Sequence, residues 1–312
     1  LQWLSDKQRL LVLAHERPDG DAFGCVYAAA IALGNAGKTV WAYLGAELPV
    51  RYSRIFPPCS FVRIPSTPAP LPDPVPDGIL CLDTSSRERL APSVPLNGVP
   101  VCNIDHHRDN TGFGSVQWID PQAAAVAEML ATLFQRAGWL GPDSADCLLA
   151  GLLTDTGGFR FPNTTPATLD CAAALYEAGA DYASVTDALF YREPLERRRL
   201  EAHVIETAVC ACDGRFMYSI LDPEDVRQRG LKPADLEGLI DVLRSVEDVR
   251  IACLIQPGET DVRVSLRARS QDAPVDGIAH RLGGGGHPLA AGARLRETTP
   301  EETVKKLRKL VG

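Results

Sequence analysis

The sequence predicts an α/β fold in which a parallel sheet is followed by a second, smaller α/β domain. Short apolar runs alternate with helical patterns over the first half of the chain, which is typical of βαβ units. A charged helical segment follows at 192–208, with further strand patterns beyond it. The 312 residues are enough for two hydrophobic cores. We therefore expect domains at 1–190 and 209–312, joined by a linker helix at 191–208.

The individual elements follow from apolar runs, caps and prolines. Buried strands are expected at 9–15, 38–44, 78–83 and 99–105. Helices are expected between the first two strands and at 119–138, 144–153 and 165–180, covering both faces of the sheet. Segment 64–78 is so rich in proline that it must be a loop. The strands of the second sheet are expected at 214–221, 249–256 and 261–269.

Composition and charge limit the classes of function. The net charge of -8 argues against a general binder of long nucleic acids, including long duplexes, because such binding relies on neutralising phosphates. The chain lacks an apolar run long enough to cross a bilayer, so we expect no membrane partner. The nine cysteines are scattered and odd in number, which indicates reduced thiols. The N-terminal segment does not resemble a signal peptide, and we expect a cytoplasmic protein.

Potential metal ligands stand where the predicted strands end. Because the carboxyl ends of parallel strands meet at one edge of a sheet, we expect these side chains to share a crevice. Asp19-Gly20-Asp21 alone and Asp83 alone are better explained as a turn or a helix cap, and Asp-His-His alone is equally well explained by ordinary surface or core residues. The ordered succession of these motifs predicts a metal site. Carboxylates and imidazoles without cysteine favour Mn²⁺ or a similar octahedral ion, and a pair of ions needs a bridging carboxylate. The candidates are His15, Asp19, Asp21, Asp83, Asp105, His106, His107 and Asp155.

Five motifs in order closely resemble those of the DHH phosphoesterase family: HERPDGDAFG, CLDTS, NIDHHRDN, GLLTDTGGFRF and GGGGHPLAAG. Within that family the chain is most similar to short members with a glycine-rich C-terminal domain, the bifunctional oligoribonuclease and pAp phosphatase (nanoRNase) group. The resemblance covers nearly the whole chain. It implies a manganese-dependent phosphodiesterase and phosphatase that hydrolyses short oligoribonucleotides to mononucleotides and 3'-phosphoadenosine 5'-phosphate (pAp) to AMP.

The resemblance also implies a role for each candidate. Two Mn²⁺ ions are expected, with Mg²⁺ and Co²⁺ left open as alternatives. Asp83 would bridge them, His107 would face the substrate phosphate, and Asp105 would orient the histidines. We expect His107 and Arg160 to stabilise the developing charge. The first ion would be held by His15, Asp19 and Asp83, and the second by Asp21, Asp83, His106 and Asp155.

The C-terminal region carries the predicted substrate-binding residues. Residues 261–296 contain six arginines and three aspartates, so this part of an acidic chain is locally basic. Stretch 282–292 can be read as a phosphate-cradling loop, although a glycine run alone is more often a flexible turn. The resemblance implies that the nucleotide end away from the metals is bound by Arg267, Gly284, Gly285, Gly286 and His287.

The sequence departs from the family pattern at two places, and it leaves several alternative functions open. Cys25 stands where the family commonly has serine, and residues 123–125 are alanines where relatives tend to carry a hydroxyl. The alternatives are a cyclic or linear dinucleotide phosphodiesterase, a RecJ-like single-strand exonuclease and a manganese pyrophosphatase. A non-catalytic nucleotide-binding protein is a further alternative. The expected partners are short oligonucleotides and nucleotides such as pAp, and a homodimer is left open.

Overall fold

A computed structural model describes residues 1–96, 98–236 and 238–311 of the chain. They divide into two compact units, Leu1–Arg192 and Glu193–Gly312. The predicted α/β class is confirmed, with a parallel sheet in the first unit and a smaller sheet in the second. Within the described residues no helix is both long and apolar enough to cross a membrane.

The first unit is built on a sheet of order β3-β2-β1-β4-β6-β7, and neighbouring strands on this path are parallel. Its strands are β1 (Arg9–His15), β2 (Thr39–Tyr43), β3 (Val62–Arg63), β4 (Gly78–Leu82), β5 (Leu90–Ala91), β6 (Val101–Asp105) and β7 (Val116–Ile119). Its helices are α1 (Gln2–Asp6), α2 (Gly20–Asn35), α3 (Val50–Ser53), α4 (Val126–Ala137), α5 (Pro142–Asp155), α6 (Pro166–Glu177) and α7 (Tyr182–Phe190). Because β1, β4 and β6 are parallel, their carboxyl ends lie at the same edge.

The two faces of this sheet are covered differently. Alternate residues such as Val12 and Leu80 pack with the helices in the main core. Their neighbours Leu11 and Ile79 point to the opposite face and pack with residues of the irregular stretches before and after β4, such as Ala69, Val94 and Leu96. The expectation of helices on both faces therefore holds for one face only. Prolines prevent regular helix over much of these two stretches, so irregular chain covers this face of the sheet.

Glycines bring α2 and α5 into close contact. A Cβ atom on Gly24 would lie 2.4 Å from the Cys147 carbonyl oxygen, and one on Gly20 would lie 2.3 Å from Thr154 Oγ1. These separations are shorter than van der Waals contact, so only glycine allows the observed packing. The start of α2 is thereby held beside the end of α5.

One predicted helix begins later than expected. The segment 119–138 was expected to be helical throughout, but the helix begins at Val126, after β7 (Val116–Ile119). Val116 and Trp118 are substantially exposed on this edge strand, so β7 lacks the apolar run of a buried strand. Residues 123–125 are alanines with high helix propensity, so the sequence does not mark where the helix begins.

The second unit contains a six-stranded sheet of order β12-β13-β11-β10-β9-β8. The helix expected at 191–208 spans Leu195–Glu206, and its Leu200 and Val204 are buried in a core of this unit. The strands are β8 (Val209–Ala211), β9 (Phe216–Ile220), β10 (Ile251–Pro257), β11 (Asp261–Ala268), β12 (Gly285–His287) and β13 (Ala290–Arg296). The helices are α8 (Leu195–Glu206), α9 (Pro223–Gln228), α10 (Asp241–Arg244), α11 (Asp276–Arg281) and α12 (Pro300–Val311).

Candidate metal centre

One group of potential ligands forms where β1 and β4 end. His15 is the last residue of β1, and Asp19 caps α2 by accepting a hydrogen bond from the Ala22 N–H at 3.1 Å. Asp83 follows β4 directly. His15 Nε2 lies 3.4 Å from Asp83 Oδ2 and 3.9 Å from Asp19 Oδ1. The ligand atoms of these three residues lie within 4.8 Å of one another, close enough to share an ion.

A second group joins α2, β6 and α5. The ligand atoms of Asp21, His106 and Asp155 also lie within 4.8 Å of one another. His106 Nε2 is 3.5 Å from Asp155 Oδ2 and 3.7 Å from Asp83 Oδ1. Asp83 therefore reaches both groups, as a bridging carboxylate must. The structure brings together all six residues that we predicted as metal ligands.

The environment of Asp83 fits a bound cation. Its side chain is 2 % exposed, and its Oδ1 atom has no hydrogen-bond partner. A buried acceptor without a partner costs about 1–3 kcal/mol, unless another group satisfies it. The surrounding donors are carboxylate oxygens and imidazole nitrogens, which suit Mn²⁺ and comparable ions. The residues present therefore fit a divalent cation.

Asp21 holds the start of α4 in place. Its Oδ2 accepts a hydrogen bond from the Val126 N–H at 2.6 Å, and its Oδ1 accepts one from the Ala127 N–H at 2.9 Å. Ala125 stands at the N-cap of α4 and has no side chain that can cap it, so Asp21 supplies the cap from another helix. Burial and the charges of Asp83 and Asp19 raise the pKa of Asp21 well above its usual value. A divalent cation would offset that effect.

The hydrogen bond of Cys25 explains how cysteine is tolerated where the family commonly has serine. Its Sγ donates to Asp21 Oδ1 at 3.3 Å. Burial and the charge of Asp21 raise the pKa of the Cys25 thiol well above its usual value, so the sulfur keeps its proton. The thiol thus does for Asp21 what a serine hydroxyl would do.

The tandem histidines have different partners. His106 Nδ1 pairs with the Ala123 carbonyl oxygen at 3.2 Å, so this nitrogen carries the proton and Nε2 faces the carboxylates. His107 Nδ1 pairs with Asp105 Oδ1 at 2.7 Å. The two rings are nearly perpendicular, with an interplanar angle of 80°. Neighbouring positions in the sequence therefore present their imidazoles in different directions.

Nearby carboxylates favour the charged forms of two histidines. Burial lowers the pKa of His15, but Asp19 and Asp83 outweigh it and raise the pKa to about 10. Burial likewise lowers the pKa of His107, and Asp105 and Asp83 carry it above its usual value. A metal ion needs a neutral imidazole, so binding at His15 would release a proton.

A network around Asn110 was not predicted. Asn110 Nδ2 lies 2.6 Å from Asp105 Oδ2 and 2.9 Å from Asn103 Oδ1. Asn103 in turn donates to the carbonyl oxygens of Cys81 and Thr84 at 3.3 Å and 3.2 Å. Asn110 belongs to the motif NIDHHRDN, but a lone asparagine after a strand gives no sign that it joins two strand ends. The network fixes Asp105, which fixes His107.

Arg160 lies on the turn that follows Asp155. Gly157, Gly158 and Phe159 adopt positive φ angles of 59°, 67° and 63° in succession, which reverses the chain after α5. Arg160 Nε donates to the Gly157 carbonyl oxygen at 2.5 Å, and its guanidinium lies 5.9 Å from the centre of the Phe190 ring. Its position in the chain is close to Asp155, while its observed contacts are with this turn and with Phe190.

Two of the predicted substrate-binding residues of the second unit, Arg267 and His287, lie on one sheet face. Arg267 on β11 and His287 on β12 both align with Ala290 on β13, one from each side. Gly284 and Gly286 approach β13 so closely that a Cβ atom would lie 2.0 Å and 2.6 Å from its carbonyl oxygens. The glycine run, which the sequence left open as a phosphate-cradling loop or a flexible turn, forms the edge strand Gly285–His287 and the residue before it. An edge strand presents backbone N–H groups that can bind an anion.

Comparison with known proteins agrees with this arrangement. The DHH family, N-terminal domain matches residues 9–152, and the DHHA1 domain matches residues 213–312. The bifunctional oligoribonuclease and PAP phosphatase NrnA of Thermus thermophilus is 35% identical over 92% of this chain and 84% of its own length. The protein of the same name from Bacillus subtilis is 28% identical over 70% of this chain and 69% of its own.

A solved structure supports the fold. An exopolyphosphatase-related protein from Bacteroides fragilis superimposes with a TM-score of 0.86 over 99% of this chain and 93% of its own, at 22% sequence identity. At this identity the likeness concerns the fold alone. The sequence matches cover both predicted domains and include a relative above 30% identity. The chain therefore belongs to the DHH family.

Proposed function

We propose that this protein is a metal-dependent phosphoesterase that hydrolyses short oligoribonucleotides to mononucleotides and pAp to AMP. The observation that carries the proposal is the buried Asp83 Oδ1, which has no hydrogen-bond partner and lies between two groups of carboxylates and imidazoles. The names of the relatives, bifunctional oligoribonuclease and PAP phosphatase, support the choice of substrates.

The proposed cofactor is a pair of Mn²⁺ ions. Divalent ions at such a site lower the pKa of water and offset charge on the phosphoryl group. Oxygen and imidazole ligands favour Mn²⁺ over structural Zn²⁺, which is typically held by cysteine sulfurs. Mg²⁺ and Co²⁺ are the alternatives. Asp83 is proposed to bridge the ions. The remaining ligands would be His15 and Asp19 for one ion and Asp21, His106 and Asp155 for the other.

His107 is proposed to contact the substrate phosphate as an imidazolium. Its Nδ1 is engaged by Asp105 at 2.7 Å, so a second proton on Nε2 makes that nitrogen a donor to an anion. The raised pKa of His107 favours this form. Arg160 is proposed as a further cation near Asp155, which requires its guanidinium to turn away from the Gly157 carbonyl and the Phe190 ring.

The second unit is proposed to bind the part of the nucleotide that the metals do not touch. Arg267 and His287 lie on either side of Ala290 on one sheet face, and Arg263 shares that face. Arg294, aligned with Arg263, forms an ion pair with Asp261 at 3.1 Å. The backbone of Gly284, Gly285 and Gly286 would add N–H donors. The net charge of -8 favours short anionic substrates over long strands.

The decisive experiment is a hydrolysis panel with Mn²⁺, with and without a chelator. The substrates are RNA di- to pentanucleotides, pAp, cyclic di-AMP, pyrophosphate and a long single strand, and the Asp83→Asn variant serves as control. Chelator-sensitive release of mononucleotides and dephosphorylation of pAp, both absent in the variant, would support the proposal. Cleavage confined to the cyclic dinucleotide, the long strand or pyrophosphate would assign one of the alternative activities. Nucleotide binding without turnover would point to a non-catalytic protein.

A further inference from the structure

A second arginine, Arg89, lies on the turn that follows Asp83, outside the metal-ligand and glycine motifs of the sequence. It ends a single turn of 3-10 helix, Arg87–Arg89, just before β5. Its Nη1 donates to Ser85 Oγ at 3.1 Å, and Ser85 is only 3% exposed. The guanidinium is therefore attached to the same short segment that presents Asp83.

The backbone of Arg89 is fixed to the end of β1. The Arg89 carbonyl oxygen accepts a hydrogen bond from the Glu16 N–H at 2.6 Å. The next residue, Leu90, pairs with His15 in the antiparallel contact between β5 and β1. The backbone of Arg89 is thus attached to the strand end that carries His15, and this anchoring does not depend on its side chain.

Arg89 is also connected to the loop that carries His107. The Ser85 carbonyl oxygen accepts a hydrogen bond from the Thr111 N–H at 2.8 Å, which joins the segment after β4 to the segment after β6. The Arg89 side chain is exposed, so it is accessible to a ligand.

The net negative charge of the site favours a cationic group, such as a guanidinium, that can contact the substrate. Five aspartates line it, and they outnumber the positive charges of two divalent ions. An incoming phosphate would add further negative charge that two such ions do not balance. Guanidinium is suited to this task because its parallel N–H groups match two phosphate oxygens.

We propose that Arg89 is a catalytic residue that binds non-bridging oxygens of the phosphate at the metal centre and stabilises the charge that develops on them. This role rests on the proposed phosphoesterase function and adds a specific group to it. In the resting state the guanidinium bonds Ser85 Oγ, and on substrate binding it exchanges that neutral acceptor for an anionic one. A charge-assisted hydrogen bond is the stronger of the two, so the exchange is favourable.

The test compares Arg89→Ala and Arg89→Lys with Arg87→Ala, a matched control on the same turn. Binding of inorganic phosphate to the Mn²⁺-loaded protein is measured by calorimetry, and metal content is measured alongside. We expect Arg89→Ala to weaken phosphate binding about 10- to 100-fold with metal content unchanged, and to lower kcat for a dinucleotide by about 100-fold. Arg89→Lys should fall between, and Arg87→Ala should match the wild type. Added guanidinium chloride at non-denaturing concentration should restore part of the activity of Arg89→Ala alone.

Several results would overturn the role of Arg89. These are wild-type phosphate affinity in Arg89→Ala, an equal loss in Arg87→Ala, loss of bound metal in Arg89→Ala, or no phosphate binding by the wild type. The binding measurement also separates this proposal from the function beneath it. Phosphate binding that depends on Arg89, in a protein that hydrolyses none of the panel, would support the Arg89 contact while refuting the proposed activity.

Discussion

Replacing Asn110 should lower both the free energy of unfolding and the turnover rate. Comparing the stabilities of Asn110→Ala and Asn110→Asp tests whether the contact with Asp105 is the cause. Asn110 Nδ2 lies 2.6 Å from Asp105 Oδ2, 2.9 Å from Asn103 Oδ1 and 3.2 Å from the Thr84 carbonyl oxygen. Its two N–H groups can satisfy two of these acceptors well. Asp105 and Asn103 are fully buried, so an acceptor that loses its donor there is not rescued by bulk water.

The size of the effect follows from these contacts. A hydrogen bond to a charged group contributes about 1.5–3 kcal/mol and a neutral one about 1 kcal/mol, so Asn110→Ala should lower the free energy of unfolding by about 2–4 kcal/mol. In a domain of this size that corresponds to a fall in melting temperature of roughly 5–15 °C. Asn110→Asp should be worse near neutral pH, because it sets a second carboxylate against Asp105 where the two cannot both be ionised comfortably.

The assay is thermal denaturation in chelator, followed by kcat and metal content after loading with Mn²⁺. Asp109→Asn on the exposed neighbouring position is the control and should leave the melting temperature within about 1 °C. We expect both Asn110 variants to lose turnover by at least about tenfold, because Asp105 no longer holds His107 firmly. If Asn110→Asp is as stable as the wild type, or more stable than Asn110→Ala at neutral pH, the reasoning about Asp105 is refuted.

Three further predictions concern the ligands and their support. Asp83→Asn should abolish hydrolysis and reduce the bound metal while leaving the circular dichroism spectrum unchanged, because asparagine tolerates the positive φ of 51°. Cys25→Ser should keep turnover within a few-fold of the wild type, whereas Cys25→Ala should weaken metal binding by about tenfold in calorimetry, since only serine restores a donor to Asp21. Gly24→Ala should lower the free energy of unfolding by about 1–3 kcal/mol in denaturant titrations, because its Cβ atom would lie 2.4 Å from the Cys147 carbonyl oxygen. Gly277→Ala, which meets nothing within 4 Å, is the control.

The set of metal ligands could be predicted because several of its residues directly follow or end apolar runs in the sequence. His15 ends β1, Asp83 follows β4 and Asp105 ends β6, and parallel strands necessarily bring these ends to one edge. The support of those ligands could not be predicted in the same way. Asp21 and Val126 are 105 positions apart, and their contact exists only because α2 and α5 pack closely enough to align the start of α4.

The same limit explains the errors in the fold. Proline content identified segment 64–78 as irregular, but it did not reveal that residues such as Ala69 would cover the second sheet face in place of helices. The sequence left the glycine run open as a loop or a turn, and its partner β13 shows why glycine is required there: side chains at Gly284 and Gly286 would collide with the backbone of that strand. The sequence shows where the glycines are, but only the position of β13 shows that they allow close approach of two strands.

The division of labour between the tandem histidines also comes from contacts outside the motif. His106 is oriented by a neutral acceptor, the Ala123 carbonyl, which fixes the tautomer without adding charge. His107 is oriented by the carboxylate of Asp105, which both fixes the ring and stabilises its protonated form. A neutral imidazole is what a metal ion requires, and an imidazolium is what a phosphate attracts. The two residues are chemically identical and adjacent in the chain, so their proposed roles follow from these two acceptors, one on the loop before α4 and the other at the end of β6.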